Sequence, residues 1–343
     1  MFNRHYLFFV TKPYSIPILE PLQEVIEQDG TSQVAWFGAG SAKHTILPGK
    51  QFRSTVEVNE YQPHAVIVPG NVVPHFWPGL KVQIFHGLGE EKRGHYRINE
   101  LFDIYCTPGP VMTEKFEKLA LKHGSFLVKE TGWPKLDNFE LKVDRDLRKT
   151  ELGINPEQPV ILYAPTFSPR YTSARDLFKE IQMMVDRPYH WLIKFHTLMD
   201  QDLSGDYLSL NKDYVTIIDN QNIIPYMEIS DILLTDTSSV AYEFLILNRP
   251  IITYRAGARL GKGVNILKPY ELFGAIVRSL EDPDEFAENR KFYLEELHPY
   301  KDGHSSHRVL KAINEVIDSG EIKRLTKRIP AFGIRRKLKR LVQ

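Results

Sequence analysis

Cysteine is almost missing from this sequence: Cys106 stands alone among 343 residues. One thiol cannot close an internal disulfide, and no Cys and His cluster has the spacing of a zinc site. The chain therefore reads as a protein of a reducing compartment, with no metal and no cofactor expected. Long hydrophobic runs are absent as well. No window approaches the ~20 apolar residues that span a bilayer, and the run at 6–10 is too short for a signal peptide. The expected location is the cytoplasm. Tandem repeats and low-complexity tracts are lacking too. Two glycine-rich stretches fall short of nucleotide fingerprints: GAGSAK at 38–43 has no third glycine, and GARLGKG at 257–263 misses phosphate-loop spacing. Neither supports a nicotinamide or ATPase reading, although the second would suit a flexible loop closing over a nucleotide.

What is present is an ordinary globular composition, with 42% hydrophobic and 25% charged residues, which argues against wholesale disorder. At this length two domains are the default expectation. The net charge of +1 hides an asymmetry, because residues 322–343 hold nine Lys or Arg and no acid. Subtracting those nine from +1 leaves −8 on the remainder. Within this tail Ile334, Leu338, Leu341 and Val342 fall on one helical face, the pattern of an interfacial amphipathic helix. Such a tail would hold the protein on the inner face of an anionic membrane, and a solvated terminus is the plain alternative. Nucleic acid is not an expected partner, since Phe332 is the tail's lone aromatic.

Short runs rich in Val, Ile, Phe and Tyr alternate with helical stretches, as in repeated βα units with a parallel sheet. They occur at 6–10, 34–37, 65–68, 82–85, 104–107 and 126–129, and again at 160–164, 191–195, 215–218, 232–235, 251–254 and 275–277. The polar stretch 141–159 separates the two series. The expected fold is α/β, with two doubly wound Rossmann-like domains facing across a cleft: residues 1–145, residues 156–320, and a basic tail from 321 to 343. Such sheets bind ligands beyond the carboxyl ends of their strands.

Four strand ends carry candidate chemistry. TDTSSVAYEF at 235–244 places Thr237, Ser238 and Ser239 where a strand hands over to a helix, with Asp236 among them. Hydroxyls at a helix start act as caps or join the exposed N–H groups in holding an anion, and four within five residues, Thr235 with Thr237, Ser238 and Ser239, favour a phosphate site. Asp236 would repel phosphate and suits capping or loop orientation. YAPTFSPR at 163–170 adds Thr166 and Arg170, the latter with a fork that matches phosphate oxygens. His86 in QIFHGLGEE and His196 in WLIKFHTLMD each close a strand, one in each half. An imidazole with its ordinary pKa near 6.5 suits proton transfer from a hydroxyl, although a lone histidine is more often structural.

Together FHG at 85–87, YAPT at 163–166, KFH at 194–196, TDTSSVAYEF and YKDGHSSHR at 300–308 resemble the CDP-glycerol glycerophosphotransferase family, with its glycosyltransferase-B architecture. Where many members have Trp-His-Gly-Thr-Pro, His-Pro and Asp-Tyr-Ser-Ser, this chain has Phe85-His86-Gly87-Leu88-Gly89, His196-Thr197 and Asp236-Thr237-Ser238-Ser239. The resemblance implies transfer of a polyol phosphate, glycerol phosphate first, from a CDP-activated donor to a hydroxyl of a lipid-linked or polymeric acceptor, with release of CMP. It implies His86 as base, with His196, Thr166, Arg170, Thr237, Ser238 and Ser239 on the donor phosphates and Glu243 reaching the ribose. A sugar-nucleotide glycosyltransferase or 2-epimerase of the same fold is the competing expectation. A noncatalytic, membrane-docked polyanion-binding protein is the third.

Overall fold

The computed structural model describes residues 4–28, 30–91, 93–139, 143–210, 213–326 and 329–343. They form two compact units, one of residues 1–138 with 295–343 and one of residues 139–294.

The first unit holds a seven-stranded parallel sheet in the order β3-β2-β1-β4-β5-β6-β7. Its strands are β1 (His5–Val10), β2 (Gln33–Gly38), β3 (Lys50–Phe52), β4 (Ala65–Val68), β5 (Leu80–Gln83), β6 (Ile104–Thr107) and β7 (Leu127–Glu130). Tyr6, Leu7, Phe8 and Phe9 of β1 are fully buried, as a central strand covered on both faces requires. The second unit holds a six-stranded parallel sheet in the order β10-β9-β8-β11-β12-β13. Its strands are β8 (Val160–Tyr163), β9 (His190–Ile193), β10 (Val215–Ile217), β11 (Ile232–Thr235), β12 (Ile251–Tyr254) and β13 (Val264–Ile266). Each sheet winds outward in both directions from a neighbouring pair, β1 with β4 and β8 with β11. The space beyond the carboxyl ends of such a pair is where an open α/β sheet takes its ligand.

The structure departs from the sequence-based expectations in several places. Residues 275–277 lie inside the helix Leu272–Glu281, where Leu272, Ala275 and Ile276 share one buried face at helical spacing. The short edge strands β3 and β13 carry too little apolar pattern to announce themselves. The chain also returns to the first unit at 295 rather than ending the second near 320. The cause is the helix Ser305–Ser319, which packs on the helix Ile16–Gln28, while Asn314 accepts from the Tyr6 hydroxyl at 2.5 Å. The GARLGKG loop is pinned. Lys262 is buried with its ammonium on the Ala258 and Arg259 carbonyls, and a Cβ on Gly263 would come within 1.8 Å of the Ile251 carbonyl oxygen.

The basic tail forms the helix Phe332–Leu341, whose Ile334, Leu338 and Leu341 turn to the first unit while Phe332 is 71% exposed. Leu338 and Val342 are buried within the first unit's core, and Ile334 and Leu341 pack against it. A membrane-inserting face is thereby excluded for these four residues, because the first unit's own apolar surface already covers them.

Candidate functional site

In the second unit the switch point is organised by Asp236, which directly follows β11 and is 1% exposed. Its carboxylate accepts from the Thr166 amide at 3.0 and 3.1 Å, and from the Ser173 amide and hydroxyl, both at 2.9 Å. Burial pushes this carboxyl above its usual range, while donors on Ser173, Thr166 and Ser238 pull it back. Beside it the Thr235 hydroxyl donates to the Ala164 carbonyl at 2.6 Å. The loop after β8 is thus tied at both ends to the neighbouring strand end. Loop orientation, one of the two roles open to Asp236 from the sequence, is what it performs.

The tied loop forms one wall of a pocket of about 260 Å³ whose lining includes Arg170, Thr172, Arg175, Thr237 and Arg255. Three guanidinium groups around one small space suit an anion, since each offers a donor fork to oxygen atoms. Asp176 and Asp200 also line it: Asp176 accepts from the Tyr254 hydroxyl at 2.7 Å and from Arg255 at 2.9 Å, Asp200 accepts from the Leu203 amide at 3.1 Å, and three cations stand against these two carboxylates.

Arg170 and Thr237 therefore share the pocket, and Phe167 of its wall meets the His196 ring at a tilt, with centroids 4.4 Å apart. Ser238, Ser239 and Glu243 are not in the pocket's lining. Ser239 makes no side-chain cap, and Val240 N–H meets the Ser238 hydroxyl only at 3.5 Å. Simple capping does not account for the hydroxyl cluster. The helix it opens, Val240–Phe244, is short, and Glu243 is buried within it.

The two candidate histidines are held in opposite tautomers. In the first unit His86 Nδ1 lies 3.2 Å from the Pro69 carbonyl oxygen, which only accepts, so Nδ1 carries the proton and a neutral ring keeps its lone pair on Nε2. In the second unit the Leu198 amide donates to His196 Nδ1 at 3.1 Å, so the proton of a neutral His196 sits on Nε2. One ring is set up as a proton acceptor and the other as a donor.

His86 is placed by a backbone distortion that sequence reasoning missed. The residue before it, Phe85, is fully buried at φ 62°, a left-handed conformation that costs a bulky residue roughly 1–3 kcal/mol. Trp133 Nε1 holds the Phe85 carbonyl at 3.2 Å, and the Trp133 amide in turn donates to His298 Nε2 at 2.9 Å. The ring of His95 meets His86 edge-on, with centroids 5.1 Å apart. A tryptophan inside TGWP at 131–134, just past a strand, was the signal available in the sequence.

The 300–308 segment is also bound into the first unit. Arg308 forms two bonds to Asp302 at 2.8 and 2.9 Å, lies 4.1 Å over the Tyr300 ring and donates to the Thr131 carbonyl. The adjacent arginine holds the Asp302 carboxyl well below its usual range. Among the described residues no three His, Cys, Asp or Glu side chains converge as a metal site. Cys106 is buried, and burial pushes its thiol up to about 12.

Comparison with known proteins places this architecture. A solved structure of the wall teichoic acid polymerase TagF, soaked with CDPG, superposes with a TM-score of 0.70 at 18% identity, covering 92% of this chain and 89% of that one. The UDP-GlcNAc 2-epimerase of Neisseria meningitidis shares the fold, with a TM-score of 0.66 at 13% identity over 91% of this chain and 100% of that one. Among curated sequences, a teichoic acid poly(glycerol phosphate) polymerase of Bacillus spizizenii is 30% identical over 48% of this chain and 43% of its own length. A teichoic acid glycerol-phosphate primase of Bacillus subtilis is 28% identical over 64% and 60%. A teichoic acid glycerol-phosphate transferase of Staphylococcus aureus is 28% identical over 64% and 62%. The match thus spans between 43% and 62% of these relatives' own length. The model of one family matches residues 81–315, a stretch that takes in His86, the Asp236-tied loop and the 300–308 segment, and on that match the chain belongs to the CDP-glycerol:poly(glycerophosphate) glycerophosphotransferase family.

Proposed function

We propose that the protein transfers a polyol phosphate, glycerol phosphate first, from a CDP-activated donor to a hydroxyl of a cell-surface polymer or lipid-linked acceptor. The acceptor oxygen attacks the phosphorus that bears the polyol, its proton passes to His86 Nε2, and the bond to the second phosphate breaks to release CMP. Arg170, Thr166, Thr237 and the hydroxyls of Ser238 and Ser239 hold the donor phosphates. His196 donates from Nε2 to the leaving phosphate oxygen as charge builds there, the kind of preorganised donor often worth several kcal/mol of barrier. Glu243 is assigned to the ribose. The observation that supports this reading is the pair of opposed Nδ1 contacts, an acceptor oxygen on His86 and a donor amide on His196, because a family member needs both a proton acceptor and an anion partner.

A membrane role for the tail now rests on its outward cations, since its apolar face is covered. Arg336, Lys337, Lys339 and Arg340 are exposed, and each adds about 1 kcal/mol beside an anionic leaflet. On that basis the protein works at the inner surface of the cell membrane. Among the described residues no helix is long and apolar enough to cross it.

The test is a donor screen by CMP release. Purified protein given CDP-glycerol and a glycerol-phosphate oligomer releases CMP, and His86→Ala lowers the rate by at least ~100-fold, as loss of a general base does. Turnover of a UDP-sugar with no CDP-polyol reaction would transfer the chain to the epimerase or glycosyltransferase reading that its fold also permits.

A further inference from the structure

A second basic pocket lies in the first unit, beyond the carboxyl ends of β2 and β3. It measures about 360 Å³, within the ~300–1,000 Å³ of ordinary ligand sites, and is lined by Phe37, Lys43, His44, Arg53, Leu341 and Val342 among others, with no Asp or Glu in its lining. The floor is apolar and the rim is cationic. Lys43 and His44 are exposed. Arg53 donates to the Lys43 carbonyl and to Gln51, both at 2.8 Å, which uses two of its five N–H donors. The Glu57 carboxylate accepts from the Ser54 amide and hydroxyl and from the Arg53 amide, so it lies beside Arg53 and offsets part of its charge.

The tail helix crosses this carboxyl edge. At one end Leu341 and Val342 close the pocket beside Phe37. At the other, burial lowers the pKa of His75 in the loop after β4, and positive charge from Arg335, Lys81 and Lys339 adds to the shift. His75 Nδ1 and Arg335 Nε are both buried without a hydrogen-bond acceptor among the described residues. Arg335 is thus a cation whose Nε–H has no local acceptor among the described residues.

The pocket connects through neighbouring residues to His86. A Cβ on Gly40 would stand 3.9 Å from Leu341 Cδ1 and 3.1 Å from the Thr11 carbonyl oxygen, and Ser41 donates to that same carbonyl at 3.3 Å. Thr11 Oγ1 lies 4.0 Å from a Cβ built on Gly70, and the residue before Gly70, Pro69, holds His86. The pocket, β1, β4 and His86 therefore occupy one continuous edge of one sheet.

We propose that this pocket is a phosphodiester subsite that seats an already-made stretch of polyol-phosphate chain and leads its end toward His86; the proposal rests on the transferase reading above and extends its acceptor side. The shape favours a chain over a membrane. A concave site with an apolar floor takes one strand of a polyanion, whereas a planar lipid surface would meet only the rim, and the helix face that would enter lipid is buried in the core. Lys43 and Arg53 offer an anionic chain charge partners that a neutral glycan would not use.

The experiment measures binding without turnover, so it stands apart from the identity of the donor. A fluorescently labelled glycerol-phosphate oligomer of defined length is titrated with full-length protein, in parallel with inorganic phosphate and phosphatidylglycerol vesicles. The double variant Lys43→Ala with Arg53→Gln weakens oligomer binding at least tenfold and changes vesicle binding by less than twofold. Lys118→Ala, a surface cation on another helix, leaves the oligomer affinity as it was. Because Arg53 also braces its loop, Lys43→Ala alone, at an exposed side chain, is measured too and weakens the oligomer about threefold or more. Loss of vesicle binding with unchanged oligomer binding overturns the proposal in favour of a headgroup surface. Oligomer affinity that does not grow with chain length, matched by inorganic phosphate, reduces the site to a simple anion hole and overturns it as well. Unchanged affinity for all three probes removes it.

Discussion

Asp236 holds the Thr166 amide between both of its carboxylate oxygens, at 3.0 and 3.1 Å, and one of those oxygens also serves the Ser173 amide and hydroxyl. An amide in place of this carboxylate keeps one acceptor and turns an NH2 donor toward the others. Asp236→Asn is therefore expected to leave at least one buried donor unsatisfied, at a cost of about 1–3 kcal/mol, and to loosen the wall that carries Arg170. Chemical denaturation reads the first effect. A CDP-donor titration reads the second, as weaker binding by roughly tenfold.

His196→Gln and His86→Gln should separate the two histidine roles. A glutamine amide nitrogen falls near the position of imidazole Nε2 and can donate but not take up a proton. His196→Gln is expected to retain much of the rate, with a fall of about tenfold or less, while His86→Gln loses about 100-fold or more. Equal losses in steady-state CMP release would contradict the assignment of donor and acceptor.

Phe85 sets two effects against each other. Glycine there would relieve the left-handed backbone, worth about 1–3 kcal/mol, but would also empty a fully buried ring site, where loss of a Phe side chain costs about 3–5 kcal/mol. The cavity wins, so Phe85→Gly is expected to lower stability by a net amount of about 2 kcal/mol in a urea titration. A stabilised variant would show that the ring contributes less than its burial implies.

These residues also mark how far the sequence could be read. The central strands were legible because a parallel strand buried on both faces is a short unbroken apolar run, as at Phe8 and Phe9 or Leu233 and Leu234. The strand ends then pointed to Thr166, Thr237 and His86. Edge strands such as Lys50–Phe52 have one covered face and no such run. Residues 275–277 misled because Ala275 and Ile276 are apolar for helical reasons. Arg175 and Arg255 were missed because surface arginines are common and only the fold gathers them. The destination of the tail was illegible, since the pattern that buries Leu338 in a core is the same pattern that would bury it in lipid.

His298 makes stability depend on pH. Burial holds its pKa down to about 4, while Nε2 accepts from the Trp133 amide. The unfolded chain binds a proton near pH 6.5 and the folded one does not, so this contribution is complete above about 6.5 and is lost as pH falls toward 4. Over that window the loss reaches about 3 kcal/mol. His298→Gln, which keeps a polar side chain without a titrating ring, should flatten the slope of unfolding free energy between pH 6.5 and 4 relative to the parent. An unchanged slope would place the titrating group elsewhere.

Truncation of the tail tests whether it is an appendage or part of the fold. Leu338 is 1% exposed and lies within the core cluster, so Leu338→Ala is expected to cost about 2–4 kcal/mol. A chain ending at Glu321 removes Leu338 and Val342 from the first unit's core and uncovers Phe37, which shares a pocket with Leu341 and Val342. Its first unit should therefore melt several degrees lower and bind a hydrophobic dye, in addition to any loss at anionic vesicles. Replacing only Arg336 and Lys337, whose side chains point outward, should spare stability and weaken vesicle binding alone. If the truncated chain keeps the full melting temperature, the tail packs too loosely to serve as the lid of the basic pocket.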